Sequence, residues 1–233
     1  MSVTALTAEL GVSEATIRRD LVGLDDKGAL RRTHGGARRL TLRGVEPPFS
    51  ARAVSAPGVK ARIAAAAIDL LAENESIVLD SGTTCLEVAK RLSEKASTVM
   101  PLSLPSLAAL SGFPQVTLSL CAGSVRPNEL SVVGPLAIET IERFRFDTAI
   151  ISGCGFSLSD GLTAYDVDDA AVKGAAIRSS SRAILLCDEA KWGELTFVRA
   201  AATKAFTTII TDHQLTADEA RIAADLEVDV ITV

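Results

Sequence analysis

Two sets of residues in this sequence have the types and spacing to do chemistry. The first is Asp80-Ser81-Gly82-Thr83-Thr84 (DSGTT). A glycine there lets the backbone turn tightly, the threonines offer hydroxyls, and a helix beginning at this point would expose N–H groups that attract an anion. A strand-to-helix turn tolerates Gly and Thr without any ligand, and from the residues alone the two readings stand level. Further small-residue stretches follow extended runs: Ser103, Ala122-Gly123-Ser124 with Arg126 close behind, and Ser152-Gly153-Cys154-Gly155. If such loops converge at one sheet edge, with Arg126 and Lys191 nearby, the natural guest carries a phosphate. Asp166, Asp168, Asp169 and Lys173 could orient hydroxyls of such a guest, or form the charged first turn of a helix. The second reading is preferred for Asp166 and Asp168 and stays open for Asp169 and Lys173. Trp192 could cap the pocket or be partly buried core.

The second set lies near the start. Ser13 can cap a helix with its hydroxyl, and Glu14 complements the positive helix end. Ile17, Leu21 and Leu24 then follow on one buried stripe, which leaves Thr16, Arg18 and Arg19 free in the first turns. A recognition helix presents its side chains to a major groove from those positions. A solvated amphipathic helix is the alternative. Leu30-Arg31-Arg32-Thr33-His34-Gly35-Gly36 reads as a two-strand basic wing.

The elements that must position these groups follow from hydrophobic period. A helix over Ala5–Leu10, with Leu6 and Leu10 inward, stops at Gly11 and precedes the capped helix. The stretch from Arg38 to Pro57 carries Pro47, Pro48 and Pro57 and no sustained period, which reads as a linker. Beyond it, strands are expected at 76–80, 98–100, 116–121, 147–152, 182–188, 206–212 and 228–233. Helices are expected around 59–70, 86–92, 133–144, 167–180 and 216–226. Short apolar strands each followed by a helix imply a parallel, Rossmann-like sheet covered on both faces, with ligands bound outside the carboxyl ends of its strands. The expected domains are 1–44 (head), 45–57 (linker) and 58–233 (body).

The bulk numbers fit this division. At 48% apolar and 23% charged residues over 233 positions, the chain is an ordinary globular one. No apolar run reaches the roughly 18 residues of a membrane span and no leader is evident, so a cytosolic protein is expected. Residues 1–44 carry eight Lys/Arg and five Asp/Glu, a net of +3, whereas the rest carries −8. A basic head on an acidic body points to a polyanionic partner for the head. Cys85, Cys121, Cys154 and Cys187 are widely spaced and only His34 and His213 could join them, so neither a metal site nor a disulfide framework is expected.

The run Val12–Leu21 (VSEATIRRDL), then Leu24, Gly28, Leu30, Arg32 and His34-Gly35-Gly36-Ala37, resembles the DeoR family of bacterial regulators. From about Lys60 to Asp212 the body resembles that family's sensor domain, in Leu79–Thr84 (LDSGTT), Leu130–Leu136 (LSVVGPL), Phe146–Thr148 (FDT), Gly161–Thr163, Ala170–Lys173 (AAVK), Asp188–Trp192 (DEAKW) and Ile209–Asp212 (IITD). The resemblance implies a winged helix-turn-helix that binds double-stranded operator DNA through Ser13, Thr16, Arg18, Arg19, Arg31, Arg32 and His34. It implies a sensor domain similar to ribose-phosphate isomerases, holding a sugar phosphate with Asp80, Gly82, Thr83, Thr84, Ser103, Gly123, Gly153 and Lys191. It also implies a homodimer or homotetramer, with no cofactor and no catalysis; family members usually carry a further helix, packed on Leu6, Ile17 and Leu21, before the point where this sequence begins, and that first helix is expected to be missing here. The chain departs from the family pattern at Pro101-Leu102, where Thr-Asn is usual, and at Ala122-Gly123, where paired glycines are usual; both changes imply an unusual or weakly held effector.

The function expected is repression of a sugar-catabolic operon, relieved by a phosphorylated sugar. Two alternatives stand beside it. One is a sugar-phosphate isomerase-like enzyme, in which Asp80 and Lys191 would act on the substrate. The other is a sensor-only regulator lacking DNA binding.

Overall fold

The computed structural model describes residues 2–26, 30–33, 36–39, 43, 45–92, 95 and 97–233. The chain divides into two compact units, Met1–Val45 and Glu46–Val233.

In the smaller unit, helix α1 (Val3–Leu10) starts at Ser2, whose hydroxyl accepts from Ala5 N–H at 3.0 Å, and closes on Gly11, left-handed at φ 66°. Helix α2 (Glu14–Asp26) follows at once, with Ser13 Oγ accepting from Thr16 N–H at 3.2 Å. Strands β1 (Leu30–Thr33) and β2 (Gly36–Arg39) pair antiparallel, setting Arg31 opposite Arg38 and Arg32 opposite Ala37. Gly28 and His34 lie outside the described residues. Among the described residues, Val3, Ile17 and Leu21 are buried, with Leu6 against them. Leu10 and Leu24, expected inward, are 61% and 41% exposed, because α1 and α2 offer each other too little surface to cover a full apolar stripe.

The larger unit runs through α3 (Phe49–Ala53), α4 (Pro57–Asp69), β3 (Glu75–Leu79), α5 (Thr83–Arg91), β4 (Ser97–Pro101), α6 (Leu104–Leu110), β5 (Val116–Leu118), β6 (Ser124–Val125), β7 (Val132–Val133) and α7 (Pro135–Glu142). It continues through β8 (Phe146–Ser152), β9 (Gly155–Ser157), β10 (Gly161–Ala164), α8 (Val167–Arg178), β11 (Ser180–Leu186), β12 (Val198–Ala201), β13 (Thr208–Thr211), α9 (Ala217–Asp225) and β14 (Asp229–Thr232). Seven strands form one sheet in the order β14-β13-β11-β8-β3-β4-β5, every pair parallel. The chain steps outward from β3 to β5, then returns across β3 to lay β8 on its other side. Strand order therefore reverses between β3 and β8, the place where open α/β sheets leave a crevice.

Alternation along the strands builds a core on each face. Val78, Ala149, Ile151, Leu185 and Ile209 pack beneath α7 and α8, while Ile77, Leu79, Ile150, Ile184 and Ile210 pack beneath α4 and α5. A three-stranded antiparallel sheet, β12-β10-β9, and the hairpin β6–β7 sit outside this frame. Several expectations need correction. The stretch read as a linker contains α3. The extended run at 116–121 is a strand only to Leu118. The helix expected from Val133 begins at Pro135, because Gly134 at φ 96° breaks the chain between β7 and α7. No helix among the described residues is long and apolar enough to cross a membrane. Ile150, wholly buried on the central strand, should cost about 2–5 kcal/mol when cut to alanine, read as a lower urea midpoint.

Candidate functional site

Asp80 follows β3 directly and crosses the point where strand order reverses. Its N–H donates to Ile150 O at 2.9 Å, and its Oδ2 accepts from Ser152 N–H at 2.9 Å and from the Lys173 ammonium. Lys173 comes from α8 and also faces Asp169 Oδ2 at 3.5 Å. All three side chains are buried. Burial works against the charge on Lys173, but Asp169 and Asp80 beside it outweigh that and hold its pKa well above the ordinary lysine value. Asp169 has the reverse balance: burial pushes it up to about 6 despite the pull of Lys173.

Around this ion cluster the loops take up their positions. Gly82 has φ 101° and ψ 167°, and a Cβ there would stand 3.1 Å from Ser152 Oγ, so the turn into α5 needs glycine. Thr83 and Thr84 occupy the first turn of α5 and are buried, and Thr83 Oγ1 has no hydrogen-bond partner. Ser103 caps α6, accepting from Ser106 N–H at 3.4 Å, and bridges to Ser131. Gly123 is held by packing: a Cβ would lie 2.8 Å from Val133 O. Gly153 donates its N–H to Leu186 O at 2.9 Å, and a methyl there would meet only ordinary contacts. Lys191, in a single 3-10 turn after β11, pairs with Asp188 Oδ2 at 3.4 Å, and the other oxygen of Asp188 is buried without a partner.

Every expected effector residue thus lies past the carboxyl end of a parallel strand. Direct contact joins Asp80 to the β8 terminus and, through Lys173, to α8. Ser103 and Gly123 are tied instead to β7. The carboxyl edge holds unpaired polar atoms at Thr83 and Asp188, and Ser131 Oγ beside Ser103 is a third. The amino edge is the opposite case: Arg182 donates to Glu75 Oε1 at 2.9 Å and to Thr148 Oγ1 at 2.7 Å, and Thr148 donates to Glu75.

Asp166 is the N-cap of α8, accepting from Asp169 N–H at 2.9 Å, and Asp168 is exposed in the first turn. Asp169 and Lys173 belong to the buried cluster. Trp192 is partly buried against the core: its N–H donates to Glu219 at 2.8 Å, and its ring stacks on His213 and meets Phe156 edge-on. Sequence reasoning missed Lys60, which is buried on α4 and donates to the carbonyls of Arg52 and Ser55. Burial, then the nearby Lys191, lowers its pKa. It carries no sequence signal, because a lysine in an alanine-rich helix reads as solvated. Burial raises the thiols of Cys154 and Cys187 to about 11 and about 12, which leaves them neutral and poor nucleophiles. Among the described residues no group of three or more His, Cys, Asp or Glu could hold a metal ion.

In the smaller unit, Ser13 and Thr16 share a hydroxyl contact of 3.0 Å at the start of α2. Arg18 is exposed and leans on Glu14 at 3.2 Å, and Arg19 is exposed. Such an exposed pair is weak and leaves Arg18 able to turn to another anion. Arg31 and Arg32 lie on β1.

The position of Asp169 ties the stability of the fold to pH in a defined direction. A carboxyl whose native pKa is raised to about 6 from 3.8 binds its proton more tightly when folded. Its contribution to stability is complete below about 3.8 and fades as pH rises through about 6. Asp169→Asn should remove this slope, so the urea midpoint of the wild type should fall relative to the variant's between those two pH values.

Two family models together match most of the chain. The family model described as "DeoR-like helix-turn-helix domain" matches residues 1–42, and that described as "DeoR C terminal sensor domain" matches residues 56–213. The HTH-type transcriptional regulator GlpR of Haloferax volcanii is 33% identical over 217 residues, which cover 93% of this chain and 85% of that protein. The transcriptional repressor AccR of Agrobacterium fabrum is 34% identical over 215 residues, covering 91% and 83%. Ribose 5-phosphate isomerase A from Methanocaldococcus jannaschii is similar over 59% of this chain and 55% of that one, at 14% identity and a TM-score of 0.45, and that likeness carries no argument about chemistry. With both units matched and relatives above 30% identity over most of their length, the chain belongs to the DeoR family of DNA-binding transcriptional regulators.

Proposed function

We propose that this regulator is a cytosolic repressor that leaves its operator when a phosphorylated sugar occupies the carboxyl edge of the sheet. The observation that carries the reading is Thr83 Oγ1, buried without a partner in the first turn of α5, next to the Asp80–Lys173 cluster. A buried hydroxyl left unpaired costs about 1–3 kcal/mol, which a ligand oxygen would recover. Helix-start N–H groups and the Thr83 and Thr84 hydroxyls would take the phosphate, with Lys191 as counter-charge. Asp80, fixed through one oxygen by Ser152 and Lys173, would accept from sugar hydroxyls. Gly82, Gly153, Gly123 and Ser103 would shape the rim.

On the operator, Ser13, Thr16, Arg18 and Arg19 would meet bases and phosphates, while Arg31, Arg32 and His34 would follow the backbone. A homodimer or homotetramer would set paired heads on repeated half-sites. Effector and operator would be coupled by a difference in affinity between two states, typically about 1–3 kcal/mol. Asp80 Oδ2 is committed to an ammonium and an N–H, which orients the side chain and leaves its other oxygen for a ligand hydroxyl.

Titration of an operator gel-shift with a panel of sugar phosphates tests the reading, and a DNA-bound protein that none of them releases would refute it. Turnover of ribose 5-phosphate that disappears in Asp80→Ala would instead favour the enzyme. Arg19→Ala should weaken operator binding by about 1–3 kcal/mol if that side chain reads a base. Thr83→Val should weaken sugar-phosphate binding by about 1 kcal/mol in calorimetry and raise the ligand-free melting temperature, because Thr83 Oγ1 makes no internal bond to lose and its unpaired burial is relieved.

A further inference from the structure

The segment 46–55, which continues directly from the smaller unit, is held on the larger one almost without apolar burial. Helix α3 buries none of its residues, its N-cap Pro48 makes no side-chain cap bond, and Val54 is 79% exposed. Charge does the holding. Glu46 Oε2 accepts from Arg126 at 2.8 Å, Arg52 faces Glu46 at 3.5 Å and pairs with Glu129, and the carbonyls of Arg52 and Ser55 receive the buried Lys60 ammonium, the latter at 2.5 Å. These groups are largely shielded from water, with side-chain exposures of 14% for Glu46, 16% for Arg52 and 20% for Arg126. They should therefore count for more than exposed pairs.

Of the two cations that receive the segment, Arg126 reaches the N-cap of α8, the helix that carries the buried ion cluster. Arg126 lies 3.8 Å from Asp166 and acts on Asp169, which adjoins the Lys173–Asp80 pair. Lys60 is close enough to Lys191 and Asp188 for both to act on it. The Glu46 carboxylate is itself near enough to influence Cys154, just past the end of β8, as well as Tyr165 and Asp169.

We propose that segment 46–55 is a built-in competitor for the site's cations. The Glu46 carboxylate and the carbonyls of Arg52 and Ser55 hold Arg126 and Lys60 while the site is empty. A dianionic phosphate beside them repels Glu46, takes over part of that positive charge, and frees the stretch of chain by which the head is tethered. This inference rests on the phosphorylated-sugar reading above. By linkage, whatever frees the segment must also tighten the anion.

The test uses the full chain, wild type and Glu46→Gln, alone and with inorganic phosphate or glucose 6-phosphate. Binding is measured by calorimetry, and amide hydrogen exchange at 46–55 by mass spectrometry. Without ligand, Glu46→Gln should exchange several-fold faster at 46–55 than the wild type, with β3 and β8 unchanged. Ligand should speed exchange there in the wild type, add little in the variant, and bind the variant at least about fivefold more tightly. Unchanged ligand-free exchange in Glu46→Gln overturns the proposal, and so does a bound ligand that slows exchange at 46–55 or leaves it alone; in both cases the effector reading survives. If neither anion binds either protein, the effector reading and the proposal fall together.

Discussion

A buried carboxylate at the switch between β3 and β8 is the constraint on which the larger unit depends. A buried carboxyl group is costly unless its partners arrive in register, and those of Asp80 come from different parts of the chain: the Ser152 N–H from β8 and the Lys173 ammonium from α8. Removing either would strand a charge, so β3, β8 and α8 are fixed to one another more tightly than apolar packing alone would require. The same pairing aims α5 outward, because Gly82 must pass Ser152 at close range before the helix can begin.

The sheet has two unlike ends. At the amino end, Glu75, Thr148 and Arg182 satisfy one another and seal the strands. At the carboxyl end, polar atoms remain without partners and an ammonium is shared between two carboxylates. The unpaired polar atoms at that end are the ones the proposed polar guest would pair.

How much of this could be read from the residues depended on range. The strands at β3, β8, β11 and β13 are apolar runs whose alternating sides both face core, so they stand out locally. β9, β10 and β12 carry Gly, Ser, Thr and Arg and owe their extension to pairing with one another, which no local pattern displays. The DSGTT loop was legible because its small residues follow an apolar run. Asp169 and Lys173 share a helix face at i, i+4, yet only the fold buries that face. Glu46 and Arg126 stand 80 positions apart, and nothing in either neighbourhood announces the pair. Trp192 went the other way: beside Lys191 in sequence, it turns toward Glu219 and His213 in space.

The packing of the head's described residues, with Val3, Ile17 and Leu21 buried and Leu10, Val12, Val22 and Leu24 in part uncovered, has a thermodynamic consequence. Helices α1 and α2, which among the described residues bury little apolar surface against each other, would lie toward the low end of local stability if held by that contact alone. Docking on a duplex would then include ordering of the head itself, so association should release more heat, and lower the heat capacity further, than the contact area accounts for. Salt would act on the charged contacts and temperature on the ordering, which would leave the protein's grip on DNA responsive to two physical variables that a rigid reader would feel much less.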